Sequence, residues 1–162
     1  ETLMMKIHPL KLAAASALLT VVASAALAQT GAKAGRCTDW TQGRLMGLEY
    51  VACQLTARKE MATIQLSRRT GSYDGYGFPE TVECRDDLRK TAKKAVDDTR
   101  ACLLKTKQSR AVDALDDYYA AWLLAVSAWT NMAESAYLFD LRLEVLEQSL
   151  EEKKIKFNVQ LR

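Results

Sequence analysis

The sequence predicts an all-α protein: an antiparallel helical hairpin, about 39–67 and 79–106, stapled by two disulfides and packed on a long C-terminal helix, about 110–154. Three observations carry this reading. Two amphipathic stretches flank a glycine-rich break, a seven-residue apolar repeat runs through the last third of the chain, and four cysteines fall where antiparallel arms would bring them together.

The first arm opens at Thr38 or Asp39, either of which can cap a helix. Trp40, Leu45, Leu48, Val51, Ala52 and Leu55 then recur at helical spacing, with Ala62 and Ile64 extending the pattern. Gly43 and Gly47 lie within this helix four residues apart, weakening it but letting another backbone come close on that side. From Arg68 to Phe78 the apolar period stops and three glycines appear, and Pro79 follows where a new helix can begin. The second arm carries Cys84, Leu88, Ala92, Ala95, Cys102 and Leu103 on one face. Its other faces alternate in charge, with Asp86 and Lys90, then Lys94 and Asp98, set at one-turn spacing, which reads as a solvated surface.

Between Lys105 and Arg110 the apolar stripe changes phase, and Ser109 offers a cap, so a tight turn is expected there. Beyond it Leu115, Trp122, Trp129, Ala136, Leu143, Leu150 and Phe157 fall seven residues apart, with Val112, Tyr119, Val126 and Ala133 as a companion stripe. This is the basis for one continuous helix. The last eight residues, 155–162, alternate apolar and polar, which suggests an extended or frayed tail.

The cysteines discriminate among pairings. Cys84 and Cys102 share one helix face about 27 Å apart along the axis, too far for a bond that needs Cα atoms within about 7 Å. Antiparallel arms favour the nested set, Cys37 with Cys102 and Cys53 with Cys84, over the crossed set, which requires parallel helices. Each bridge is expected to contribute about 3–4 kcal/mol by closing a loop in the unfolded chain.

Residues 1–28 read as upstream residues and a cleavable signal peptide. Lys6 and Lys11 supply the positive start, Leu12 to Leu27 the apolar stretch, and Ala26-Leu27-Ala28 the small-x-small cleavage site. Cleavage would leave a flexible linker, 29–38, a single helical domain, 39–154, and the tail. It implies a periplasmic or secreted protein with no stable membrane anchor, in a compartment where cysteines oxidise. It would also remove Glu1, Lys6 and Lys11, lowering the formal charge of +3 by one. With both signs interspersed along the chain, no basic surface for nucleic acid is expected.

The one histidine, His8, lies in that leader. A chain without it lacks the side chain that most nucleophile pairs, di-iron bundles and zinc sites require. No phosphate-cradling glycine motif and no calcium loop is present, so no enzyme, cofactor or metal is expected.

Three places could carry function. The break presents Arg68, Arg69, Tyr73, Tyr76 and Phe78, which could bind a partner or fold back over the nearby disulfide. The aromatic belt of Tyr118, Tyr119, Trp122, Trp129, Tyr137 and Phe139 could line an inter-helix pocket with Glu134 and Asp140 as its carboxylates, although residues at this spacing are more often core. A helix of about 45 residues would overhang the hairpin, leaving Leu143, Leu146, Leu150 and Phe157 as an interaction face. The expected function is a protein-binding module, as adaptor, inhibitor, immunity factor or secretion-system accessory, joining an envelope or secreted protein or a second copy of itself. A small-ligand carrier using the aromatic belt is the alternative.

Overall fold

The computed structural model describes residue 37 and residues 39–75, 77–131 and 133–162, without the side chains of Asp39 and Trp40; the signal-peptide and linker expectations up to residue 36 lie outside them. The regular structure of the described chain is all helical, in five segments: α1 (Asp39–Met46), α2 (Leu48–Thr70), α3 (Pro79–Lys105), α4 (Ser109–Ala128) and α5 (Ala136–Gln160). The all-α class and the disulfide-stapled hairpin are as the sequence predicts.

The first arm is two helices, because Gly47 interrupts it. A Cβ on Gly47 would overlap the carbonyl oxygen of Gly43, so the chain can fold this closely on itself only with glycine there. The backbone that approaches Gly47 is therefore its own preceding turn. The break leaves the Leu45 carbonyl without a helical partner, and the Trp122 indole Nε1 donates to it at 2.6 Å. Below the break, Thr41 donates to the Ala95 carbonyl at 3.2 Å and also pairs with Thr99, which donates to the Cys37 carbonyl at 2.9 Å. These buried hydroxyls tie α1 to α3 beside the first staple.

α2 runs three residues past the expected end and stops at Gly71, whose φ of 70° supplies the left-handed cap. The segment to Phe78 then returns alongside α2, as the cysteine positions require. Glu60, midway along α2, accepts from the backbone N–H groups of Glu80 and Thr81 at 3.1 and 3.0 Å, capping α3 from outside its own sequence. Both nested disulfides form, Cys37–Cys102 and Cys53–Cys84, with Cα separations of 5.8 and 5.7 Å.

The turn between α3 and α4 is real but is built differently from the sequence expectation. Lys107 adopts a left-handed φ of 58°, and Gln108 takes the N-cap position, leaving Ser109 as the first helical residue. The backbone N–H of Gln108 donates to the Leu103 carbonyl at 3.0 Å and closes the turn.

The single long helix of about 110–154 is not formed: it is two antiparallel helices. Asn131 Oδ1 accepts from the Ala133 N–H at 3.1 Å, Asn131 Nδ2 donates to Glu134 Oε1 at 2.8 Å, and Ser135 Oγ caps α5 by accepting from the Leu138 N–H at 3.2 Å. The seven-residue period survives the reversal because the turn restarts the helix with the same phase towards the same core. The expected extended tail is also helical, to Gln160. Phe157 fixes it there, fully buried against the Tyr118 ring at 6.2 Å, while Ile155 and Val159 face outward on the same helix.

The result is an up-down four-helix bundle with α1 closing one end. The pairings step up one helix as they step down its neighbour at every seam. Between α3 and α4, Arg100 meets Asp116 and Arg85 meets Thr130. Between α4 and α5, Asp117 meets Lys153 and Lys156. Between the first arm and α5, Gln42 meets Asn158, Gln54 meets Glu147, Arg58 meets Asp140, and Gln65 meets the Glu134 carbonyl.

Candidate interaction surface

α5 has two faces at heptad spacing. The inner one, Phe139, Leu143, Leu150 and Phe157, is at most 1% exposed, with Leu146 half-buried at its margin. The expectation that Leu143, Leu146, Leu150 and Phe157 form an exposed interaction face is thus overturned: once the helix folds back on α4, the overhang that would have exposed them does not exist.

The outer face follows the same three-four spacing through Leu138, Leu141, Val145, Gln148, Glu152, Ile155 and Val159. Its five apolar members stay 45–60% exposed, and neither α4 nor α2, which flank α5, covers them. Leu138, Leu141, Arg142 and Val145, together with Glu134 and Leu146, enclose an open hollow of about 450 Å³. The sequence reading missed this row because it treated the heptad as one face of one helix. The signal was present in the spacing of 138, 141, 145, 155 and 159.

The aromatic belt does not enclose a pocket. Tyr118, Trp122 and Trp129 are fully buried, and Tyr50, which the sequence reading passed over, packs 5.2 Å from Trp129 and 6.5 Å from Trp122. Tyr119 stacks half-buried on Trp122 at 5.8 Å. Tyr137 points away, 74% exposed. Asp140 is exposed and pairs with Arg58 at 3.5 Å, and Glu134 serves the α4–α5 turn by accepting from Asn131 and Arg142. Apart from exposed Tyr137 and half-buried Tyr119 the belt residues are core, and the carboxylates are structural, Asp140 in the α2–α5 seam and Glu134 in the α4–α5 turn.

Behind the outer face lies a polar cluster. The hydroxyls of Tyr50 and Tyr118 are buried without hydrogen bonds of ordinary geometry, Tyr50 beside Glu147 and Tyr118 in the field of Glu151. Burial is the main cause pushing both phenols well above their usual range, with the neighbouring carboxylate adding to it. Glu147 is itself pushed up by burial, against the opposing pull of Arg58 and of Tyr50.

The residues of the glycine-rich break are dispersed. Arg68 and Arg69 lie in the last turn of α2, and the Arg68 guanidinium sits 5.1 Å from the Tyr73 ring centroid. Phe78 is 3% exposed and packs into the core, which is the fold-back arrangement, while Tyr76 lies outside the described residues. An open groove of about 340 Å³ runs over the Cys53–Cys84 bridge, bordered by Glu49, Ala52, Asp87, Leu88 and Thr91. Among the described residues no cluster of His, Cys, Asp and Glu could hold a metal ion, and no helix is long and apolar enough to cross a membrane. No protein-family model matches the chain, and comparison with curated proteins and with solved structures finds no match.

Proposed function

We propose that this is a periplasmic or secreted protein-binding module that uses the outer face of α5. One observation carries the reading: α5 already spends one apolar row on the core, yet presents a second, Leu138, Leu141, Val145, Ile155 and Val159, to solvent. A helix apolar on two sides is suited to burial on both, and the bundle covers only one. The compartment is supported by two disulfides, with no free cysteine among the described residues, and by the signal-peptide pattern upstream. Against a small-ligand carrier stands the filled core, since the aromatic residues that would line its pocket touch one another.

A photo-crosslinking amino acid placed at Leu141, in the protein expressed in its own host, tests the reading. It is expected to trap a protein partner, whereas the same group at exposed Lys94 on α3 is not. Absence of any protein adduct specific to the Leu141 position would refute it.

A further inference from the structure

We infer that the protein covering this face is a second copy of the chain, with α5 pairing antiparallel to its counterpart about a two-fold axis near Leu150. The inference rests on the protein-binding reading and specifies its partner. The pattern of the row sets a register, and the hollow on the same face fits it.

The pattern turns on where the polar interruption falls. The row runs Leu, Leu, Val, Gln, Glu, Ile, Val, so its two polar members, Gln148 and Glu152, sit together at the middle. In the antiparallel register that brings Gln148 opposite Glu152 of the second copy, and the reverse by symmetry, amide meets carboxylate twice. Val145 then meets Ile155 and Leu141 meets Val159, so apolar meets apolar on both sides of the polar centre, over about 27 Å of helix from Leu141 to Val159. A row meant for an unrelated partner has no need to be self-complementary under such an operation.

The hollow fits this register by its shape. Leu138, Leu141, Arg142 and Val145 stand at i, i+3, i+4 and i+7, the four-residue hole into which a side chain from a facing helix inserts. In the register just described, the side chain delivered over that hole is Val159 of the second copy, which is 57% exposed in the single chain. Three of the flanking charges are already engaged within one chain, Arg142 by Glu134, Lys156 by Asp117 and Glu151 by Lys154, which leaves Glu144 and the row's own Glu152 as its exposed acids.

Sedimentation of the purified, oxidised, natural-length protein tests this. A reversible dimer is expected at concentrations up to about 100 μM. Val145→Glu should weaken it more than about ten-fold, while Leu66→Glu, on the exposed face of α2, should leave it unchanged. The register makes a signed prediction that a shapeless apolar patch does not. Gln148→Lys should tighten the dimer by about five-fold by creating two ion pairs with Glu152, and Gln148→Glu should weaken it. Circular dichroism of each variant shows whether the bundle itself is intact. A protein that stays monomeric, or a dimer that responds to Leu66→Glu rather than Val145→Glu, or Gln148 variants that act in the same direction, would overturn the inference. A monomer that still traps a different protein from Leu141 would overturn it while leaving the binding reading standing, whereas no adduct at all would remove both.

Discussion

Gly47 and Gly43 stand one turn apart in sequence and in unlike surroundings. A methyl group at Gly47 has no room beside the Gly43 carbonyl, whereas at Gly43 it meets nothing within 4 Å. Gly47→Ala should therefore destabilise the protein by about 2–3 kcal/mol, and Gly43→Ala should stabilise it by roughly 0.5–1 kcal/mol through the smaller backbone entropy lost on folding. Urea unfolding of the two variants reads both signs. Trp122→Phe keeps most of the ring but leaves the buried Leu45 carbonyl unpaired, and it should cost about 1–3 kcal/mol by the same measurement. Glu147 gives a pH prediction. Its folded pKa is raised, so its ionisation favours the unfolded chain, and stability falls as pH rises from the ordinary glutamate range through the raised value. Glu147→Gln, which can still accept from Gln54, should stabilise the protein at neutral pH and lose that advantage in acid, as paired melting curves would show.

At the scale of elements, α4 and α5 show what periodicity does and does not specify. Leu115, Trp122 and Trp129 were legible as core, and all three are fully buried, as are Leu143, Leu150 and Phe157, which share their period but were expected to face outward. What the seven-residue period could not report is direction, since a helix that turns back towards the same core can resume in phase. The reversal rests on Asn131 and Ser135, two weak local signals that the strong period outweighed. Glu60 was equally illegible, because it caps a helix twenty residues away and only the returning loop brings the two together. The cysteines succeeded where local signals failed, since a covalent distance limit applied to a helical rise leaves few arrangements. The tail follows from burial: Phe157→Ala should cost about 3–5 kcal/mol, a loss that a frayed end could not produce and that thermal melting would register.

For the whole molecule, the seams are unequal in kind. The α1–α2 arm is bonded to α3 by two disulfides, whereas the α4–α5 pair holds to the first arm through buried aromatic packing and a line of polar contacts. The loops closed by Cys37–Cys102 and Cys53–Cys84 span 65 and 31 residues, so each bridge should contribute about 4 kcal/mol, the longer exceeding the shorter by roughly 0.6 kcal/mol. Paired Cys→Ser variants in chemical denaturation measure that difference.

An even number of antiparallel helices also returns the chain to the end from which it set out. Gln42 and Asn158 hydrogen-bond at 2.5 Å, close to where the described chain enters and leaves the bundle. The order in which the helices are strung is therefore separable from how they pack. A short linker joining the two ends, with new termini opened between Gly71 and Phe78, should give a circular permutant that folds with both disulfides in place, because the Cys53–Cys84 bridge would still hold together the helices that the cut disconnects.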